Sequence, residues 1–419
     1  MNDHNVGSTY VPRLADRELA FLLGALPALL IVGPRAAGKT TTARRYARTV
    51  VQLDDLEQSL GFRASPDAAL RGLDEPVLLD EWQVVPNVLG AVKRAVDANS
   101  RPNRFLITGS VRGELDAPTW PGTGRVVLVS MFGMTVRELL GRPVDGSVLD
   151  RIDAEGAAAL RNPQDRLDLR DYIDLALRSG FPEPALRLET AAQRQTWFES
   201  YLEQLFRRDA EQLGGPRDPD RLRRYFEALA ANTGGVVSEK TLYEGADINR
   251  KTAVAYEQLL KNLYVLQTLP SWWSNPLKRL GRTPKRHLVE PALAAAALRL
   301  DANGVILDGN MLGRILDSFV TAQIRAEASI ARVRPRLYHL RQEDGRREID
   351  LIIELSGLKV VAVEIKADGV PTRDAAKHLR WLRDELGDRF KLGIVFYTGP
   401  VCLELDERIV AAPIASLWA

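Results

Sequence analysis

A glycine-rich segment near the N-terminus constrains the fold more than any other feature of the sequence. It reads GPRAAGKT at residues 33–40, directly after an apolar run that ends at Val32 and before the helix-like stretch TTARRYAR. In this order of strand, loop and helix, glycines let backbone N–H groups approach phosphates closely, and the helix N-terminus favours anions. The pattern predicts a P-loop in a parallel α/β sheet, with a chance match in an ordinary loop as the alternative.

The positions of this segment have separate expected roles in binding ATP with Mg²⁺. Backbone N–H groups of the loop would surround the phosphates, and Lys39 would reach the β and γ phosphates. Thr40 would offer its hydroxyl to Mg²⁺. The predicted nucleotide contacts are consecutive along the chain: Gly33, Pro34, Arg35, Ala36, Ala37, Gly38, Lys39, Thr40 and Thr41.

A second apolar run, at residues 77–79, ends in two acidic residues, as a Walker B strand does. Asp80 would hold Mg²⁺, and Glu81 would polarise the water that attacks the γ phosphate. By itself, an apolar run that ends in Asp-Glu is as often a solvated strand end. Because this run lies downstream of a P-loop, it predicts ATP hydrolysis as well as ATP binding.

Three further residues could complete the catalytic site. The apolar run at residues 105–108 leads to Thr108 and Ser110, either of which could contact the γ phosphate or the attacking water. A plain exit from the strand is the alternative. Arg125 precedes another apolar run and could reach a neighbouring subunit's nucleotide, as an arginine finger does, although an ordinary surface position is the simpler interpretation.

Length and composition set limits on the class of protein. The chain has 419 residues, enough for about three domains, and its 45% hydrophobic and 27% charged residues are typical of globular proteins. The net charge of +2 is too small to indicate a nucleic-acid binder, so any such surface must be local. A lone cysteine, Cys402, excludes an internal disulfide, and no apolar run is long enough to span a bilayer. We therefore expect a cytoplasmic protein that does not contact membranes.

Several motifs in one order carry a resemblance to a known family. They are GPRAAGKT, VLLDE at residues 77–81, LITGS at 106–110, SGFPE at 179–183 and LAANTGG at 229–235. Together they resemble prokaryotic AAA-type ATPases of the AAA+ superfamily that carry a domain of unknown function called DUF4143. The sequence departs from the family at Glu290, where aspartate is more usual, and at Asp317, where glutamate is frequent; both changes keep a carboxylate.

The resemblance implies an α/β protein with three parts. We expect an AAA+-like P-loop ATPase domain with a parallel sheet at residues 1–145. A helical linker and a winged-helix domain would follow at residues 146–305, and a restriction-endonuclease-like α/β domain at residues 306–419. The glycine, proline and charge of residues 141–169 mark the first boundary.

The middle part has the order of a helix-turn-helix. Helical patterns begin near Pro219, Ser238 and Arg250, and Asn249 is a plausible N-cap for the third. A recognition helix would then present Arg250, Lys251 and Thr252 from its first turn. Downstream, Trp272 and Trp273 precede a basic cluster that suits phosphates and stacked bases. The predicted DNA contacts are Arg250, Lys251, Thr252, Lys278, Arg279, Arg282, Lys285 and Arg286. Protein interaction or oligomer packing is the alternative for such a fold.

The last part carries a second charged pattern. Asp317 lies on a helical stretch, Asp350 opens an apolar run, and Glu364 and Lys366 project from the same face of the next strand. The order resembles the PD-(D/E)XK nuclease signature. The three acids would hold a divalent metal and Lys366 would orient water, while a chance hairpin or an inactive nuclease fold is the alternative. His339 and His378 are expected to be ordinary surface or packing residues.

These observations lead to one main hypothesis and two alternatives. The main hypothesis is an Mg²⁺-dependent ATPase that forms a homo-oligomer, with a hexameric ring as one expected form, and remodels or moves along DNA, including forked or branched DNA. The first alternative is a metal-dependent nuclease that the ATPase gates. The second is a regulatory or toxin-linked interaction ATPase with no role on DNA.

Overall fold

Five parallel strands form the sheet of the N-terminal region. The computed structural model describes residues 10–111, 122–209, 218–274, 279, 282–342 and 345–419; Lys278, one of the predicted DNA contacts, lies outside the described residues. The sheet has the order β2-β3-β4-β1-β5. Its strands are β1 Ala28–Val32, β2 Thr49–Gln52, β3 Val77–Asp80, β4 Phe105–Gly109 and β5 Val127–Ser130.

Helices cover both faces of this sheet, which explains why its central strands are apolar throughout. Leu29 and Ile31 of β1 pack on the side of the first two helices, whereas Leu30 and Val32 pack on the side of the later ones. The helices are α1 Leu14–Leu23, α2 Lys39–Arg44, α3 Leu56–Ala64, α4 Pro66–Arg71 and α5 Val88–Ala98, and a short α6 Val136–Leu139 follows β5. The predicted P-loop sheet is confirmed, and β4 separates the P-loop strand from the strand that ends at Asp80.

The middle region is mainly helical. Its expected N-caps form, since Ser238 and Asn249 accept hydrogen bonds from the N–H groups of Thr241 and Thr252. The helices are α7 Val148–Glu155, α8 Leu169–Arg178, α9 Pro182–Leu186, α10 Ala191–Gln204, α11 Pro219–Ala231, α12 Glu239–Gly245 and α13 Arg250–Asn262. An antiparallel pair, β6 Leu266–Leu269 and β7 Lys285–Leu288, follows them. The segment at 141–169, expected to mark the first domain boundary, contains α7, which buries Val148 and Leu149.

The C-terminal region is a six-stranded mixed sheet between two helices. The helices that lead into it are α14 Pro291–Ala297, α15 Ala302–Leu307 and the long α16 Gly309–Ile330. The strands are β8 Arg336–Gln342, β9 Arg347–Glu354, β10 Val360–Ile365, β11 Phe390–Tyr397, β12 Leu403–Asp406 and β13 Ile409–Pro413, and α17 Lys377–Leu386 lies between β10 and β11 in the chain. The sheet order is β12-β13-β11-β10-β9-β8. Alternate residues of β9 and β10 face the α16 side and the α17 side.

One hydrophobic cluster joins the middle and C-terminal regions. It includes Phe226 of α11, Leu260 of α13, Phe319 of α16 and Leu351 of β9. The boundary expected at residue 305 therefore separates two regions that share a core. Among the described residues, no helix combines the length and apolar character needed to cross a bilayer.

Candidate functional site

Glycine is required at two positions of the predicted P-loop. Gly33 has φ +153°, and a Cβ added there would lie 2.0 Å from the carbonyl oxygen of Met131, just after β5. Gly38 has φ +90°, and its added Cβ would lie 3.4 Å from Cγ of Pro182. The loop is thus pressed between the end of β5 and the first residue of α9, and a larger residue at either glycine would strain it.

Lys39 turns its ammonium into the loop. Its Nζ donates to the carbonyl oxygens of Gly33 at 3.0 Å and of Pro34 at 2.8 Å. Burial lowers the pKa of Lys39 to about 8, and the nearby carboxylates of Glu81 and Asp80 oppose that shift. The ammonium therefore lies where the loop would surround phosphates, and it is held there by backbone carbonyls that a phosphate could replace.

Asp80 accepts hydrogen bonds from the hydroxyl groups of two other predicted site residues. Thr40 donates from Oγ1 to Asp80 Oδ1 at 2.8 Å, and Thr108 donates to the same oxygen. A threonine hydroxyl beside a carboxylate is the kind of hard oxygen pair that Mg²⁺ prefers. The residues present therefore fit a magnesium ion, for which Thr40 and Asp80 would be the protein ligands, and Thr108 would orient Asp80.

Glu81 lies beside this group in a left-handed backbone conformation, with φ 54° and ψ 49°. Its carboxylate accepts a hydrogen bond from the side-chain amide of Gln83. Burial raises the pKa of Glu81, and the nearby Lys39 ammonium opposes the shift. A carboxylate whose pKa is moved toward neutrality is suited to act as a general base.

The other two predicted catalytic residues, Ser110 and Arg125, differ in their exposure to solvent. Ser110 is buried just beyond the end of β4. Arg125 forms an ion pair with Asp97 of α5 at 2.9 Å, and its side chain is 44% exposed. The structure of one chain therefore places Arg125 on a surface, away from the Lys39–Asp80 group.

Arg13 contacts the back of the P-loop, although it was not among the predicted site residues. Its Nη1 donates to the carbonyl of Ala37 at 2.9 Å, its Nη2 donates to the carbonyl of Phe132 at 2.9 Å, and its Nε pairs with Glu138 at 3.1 Å. No motif marks this arginine, because its partners lie 24 to 125 residues away in the chain.

A tyrosine near the start of the described chain also reaches the nucleotide site. The Tyr10 hydroxyl lies 3.2 Å from Thr42 Oγ1, and the Arg45 guanidinium lies 4.0 Å from the centre of the Tyr10 ring. Tyr10 and Arg45 line an open pocket together with Thr40 and Thr41. An aromatic face next to the predicted phosphate contacts could accept a nucleotide base.

The predicted nuclease residues do come together, with one unexpected member. Lys285 of β7 contacts Asp317 directly, and its Nζ lies 3.5 Å from Oδ1 of Asp350 and 3.1 Å from the Asp350 carbonyl oxygen. Lys366 donates to Glu364 Oε2 at 3.0 Å. Burial raises the pKa of Asp317 to about 7 and that of Glu364 to about 8, and the charge of Asp350 adds to both shifts.

This cluster does not fit the predicted divalent metal. The Lys285 ammonium fills the position between Asp317 and Asp350 that a metal ion would need. In the part of the chain that the structure describes, no three acidic, histidine or cysteine residues are placed to hold a metal ion. His378, expected to be an ordinary surface or packing residue, lies 3.8 Å from Glu364 and donates from Nδ1 to the Glu348 carbonyl at 2.7 Å.

Several predicted DNA contacts are wholly or partly buried and are paired with carboxylates. Lys285 and Arg286 are each 2% exposed, and Arg286 pairs with Glu257 at 3.1 Å. Arg279 pairs with Glu354. The prediction that Lys285 and Arg286 face DNA was wrong for this conformation, because packing of β7 against α13 and α16 brings both cations to carboxylates.

The remaining predicted contacts are accessible to different degrees. Arg250 and Lys251 are exposed at the start of α13, and Thr252 is half-buried. Arg282 is exposed, and its guanidinium lies 5.0 Å from the centre of the Trp273 ring. Trp272 is buried and donates from Nε1 to Glu354, so it presents no face for base stacking.

Known proteins resemble successive parts of this chain. Family models match an AAA domain at residues 26–140, a domain of unknown function (DUF8612) at 169–304 and a domain of unknown function (DUF4143) at 312–417. The uncharacterized proteins Rv2008c of Mycobacterium tuberculosis and Mb2031c of Mycobacterium bovis are each 30% identical over 407 residues, which cover 96% of this chain and 83% of theirs.

Two solved structures show weaker similarity. A Walker-type ATPase of Pyrococcus abyssi aligns with a TM-score of 0.38 and 14% identity, and a RuvB mutant of Thermotoga maritima with a TM-score of 0.30 and 18% identity. Each alignment covers 68% of this chain and 94% of the other. Similarity at this level carries no argument about mechanism.

Proposed function

This chain belongs to the family of AAA-type ATPases that carry a DUF4143 domain, and we propose that it hydrolyses ATP with Mg²⁺ to do mechanical work on DNA. The AAA domain supports ATP binding and hydrolysis. The observation that carries the proposal is the convergence of Lys39, Thr40, Asp80 and Glu81 at the carboxyl ends of β1 and β3, which lie on either side of β4.

The chemistry follows from the roles of these side chains. On ATP binding, Lys39 would exchange its bonds to the loop carbonyls for bonds to phosphate oxygens. Thr40 and Asp80 would hold the magnesium ion, which neutralises charge on the β and γ phosphates. Glu81 would accept a proton from the water that attacks the γ phosphate, and ADP and inorganic phosphate would leave.

Contacts behind the loop support coupling between the ATPase and the middle region. Pro182 approaches Gly38, and the nearby Ser179 and Gly180 are held by Glu290, which accepts from Ser179 Oγ at 3.0 Å and from Gly180 N at 2.9 Å. Glu290 directly precedes α14. A movement of the loop on nucleotide binding would therefore be passed to α9 and α14.

The DNA part of the proposal depends on the first turn of α13. Arg250 and Lys251 are exposed there, and Arg282 is exposed on the segment before β7. Cations at the N-terminal turn of a second helix suit contacts with a phosphate backbone. We further propose a homo-oligomer, with a ring as one form, in which Arg125 reaches the nucleotide of a neighbouring subunit. The proposed substrate is forked or branched DNA.

The test is ATP turnover with and without single-stranded, duplex and forked DNA. Glu81→Gln should retain ATP binding but lose at least about 100-fold in turnover, the usual contribution of a general base. One DNA structure should stimulate the parent protein. Arg250→Ala/Lys251→Ala should lose that stimulation at an unchanged basal rate, and its DNA affinity should depend less steeply on salt, by about two phosphate contacts.

The burial of Lys285 and Arg286 favours a second candidate, an interaction ATPase that does not act on DNA. It predicts that turnover is indifferent to every DNA structure and that the protein does not bind DNA even at low salt. A salt-dependent affinity that falls in the Arg250→Ala/Lys251→Ala variant would exclude this candidate.

A further inference from the structure

A strand of the middle region supplies the cation of the C-terminal acidic cluster. Lys285 is the first residue of β7, whereas Asp317 lies on α16 and Asp350 on β9. The Lys285 ammonium contacts Asp317 and lies 3.5 Å from the Asp350 carboxylate, and the side chain is 3% exposed. Three elements that are distant in sequence thus meet at a single ammonium group.

We propose that Lys285 is the resident cation of this cluster and excludes a divalent metal ion while β7 is packed on the C-terminal region. A metal ligated by carboxylate oxygens would need to lie within about 2.0 to 2.6 Å of Asp317 and Asp350. The Lys285 ammonium already occupies the space between these two carboxylates. A buried ammonium and a divalent cation at adjacent positions would also repel each other strongly.

The geometry of the other acid supports the same conclusion. Glu364 is buried, and its Oε2 is bound by Lys366 at 3.0 Å. Its Oε1 accepts no hydrogen bond and faces His378 at 3.8 Å. Asp350 uses Oδ2 to accept from the backbone N–H of Ile365 at 2.9 Å. Cations and backbone donors of the chain itself thus bind these acidic groups, and Oε1 of Glu364 is the oxygen without a hydrogen bond among those described.

The position of Lys285 is set by the strand that carries it, because its neighbours are also held. Arg286 pairs with Glu257 and donates to the Val237 carbonyl at 3.2 Å. His287 Nδ1 lies 3.3 Å from the hydroxyl of Ser318, the residue next to Asp317. Lys285 is therefore carried by a strand that is packed against α13 and α16, and a movement of that strand would withdraw its ammonium from the carboxylates.

Two consequences follow for the protein. While β7 is packed, the pair of Asp317 and Asp350 binds the middle region to the C-terminal region in place of binding a metal. A movement that lifts β7 would remove Lys285 and expose three carboxylates next to Lys366. The metal site expected from the sequence is thus closed by the protein's own side chain.

The test is Mn²⁺ binding by full-length protein, followed by electron paramagnetic resonance. All variants carry Asp80→Asn, so that the nucleotide site does not contribute. Lys285→Met keeps the length of the side chain but removes its charge, and we expect it to bind one Mn²⁺ at least about tenfold more tightly than the parent. Adding Asp317→Asn should abolish this gain. Lys359→Met, which changes an exposed lysine, should behave as the parent does.

Two results would overturn the proposal. One is a folded Lys285→Met protein that gains no Mn²⁺ site. The other is a parent protein whose Mn²⁺ binding is weakened by Glu364→Gln. The proposal predicts the same Mn²⁺ titration for the parent and for the Glu364→Gln variant, because Lys285 is present in both. The second comparison needs no substitution of Lys285, so it decides the matter even if Lys285→Met fails to fold.

Discussion

The guanidinium of Arg13 donates a hydrogen bond to the carbonyl oxygen of Ala37, with 2.9 Å between Nη1 and the oxygen. The same guanidinium pairs with the buried carboxylate of Glu138. Because Arg13 directly precedes α1 and Glu138 lies in α6, one side chain ties both ends of the ATPase domain to the P-loop.

Replacing this arginine should destabilise the protein. Arg13→Met leaves the Ala37 carbonyl without its donor and Glu138 without its cation, so we expect a loss of about 3 kcal/mol in the free energy of unfolding. Urea denaturation measures it. Arg17→Met, at an exposed position of α1, is the matched control and should change stability by less than about 0.5 kcal/mol. Equal effects of the two substitutions would contradict the assigned role of Arg13.

Two glycines should respond to alanine in opposite directions. Gly33→Ala would place a Cβ 2.0 Å from the Met131 carbonyl oxygen, so the loop or β5 must shift. We expect it to cost at least about 2 kcal/mol and to weaken ATP binding. Gly313→Ala, on an exposed turn of α16 with no atom within 4 Å of the new Cβ, should stabilise by about 0.5 to 1 kcal/mol. Thermal unfolding compares the two, and a neutral Gly33→Ala would show that the loop is not constrained by β5.

ATP affinity should fall as the pH rises above 8. Burial lowers the pKa of Lys39 to about 8 in the nucleotide-free loop, so Lys39 is an ammonium below this pH and increasingly neutral above it. Phosphate stabilises the ammonium and raises its pKa, so binding above pH 8 takes up a proton. The dissociation constant should then increase by up to about tenfold per pH unit. Calorimetry in buffers of different ionisation enthalpy measures the uptake. Lys39→Ala should show neither effect, and a Lys39→Ala profile parallel to that of the parent would refute the assignment.

Glu290 should make stability depend on pH between its unfolded and folded pKa values. Burial raises its pKa from 4.5 to about 7, so the folded state keeps a proton that the unfolded state loses. This contribution to stability is complete below pH 4.5 and is lost as the pH rises to 7, at most about 3 kcal/mol. Urea unfolding at pH 5 and pH 7.5 measures the change.

Glu290→Gln removes the titrating group, so its stability should fall less than that of the parent between these two pH values. Glu385→Gln, at an exposed position of α17, is the control and should follow the parent. If Glu290→Gln loses as much stability as the parent over this range, Glu290 does not carry the effect.

The nucleotide site was largely predictable from the sequence. The loop at residues 33–40 and the Asp80–Glu81 pair each follow an apolar strand directly. Because carboxyl ends of parallel strands meet at one edge of a sheet, two such local patterns are enough to bring Lys39, Thr40 and Asp80 together. The supports of that site, Arg13 and Tyr10, could not be predicted, because their partners are chosen by packing between segments that share no local pattern.

The acidic cluster around Lys285 shows most clearly what could not be predicted from the sequence. The sequence alone determined that Asp317, Asp350 and Glu364 lie on a helix and two adjacent strands, since helical and alternating patterns are local. Only the tertiary structure decided that Lys285 faces those acids and is withdrawn from any DNA surface. A basic residue is drawn to water or to a buried carboxylate according to which segments pack against it, and 32 residues separate Lys285 from Asp317. The packing of the folded core therefore decides which partner Lys285 has, because an unpaired buried charge would be costly.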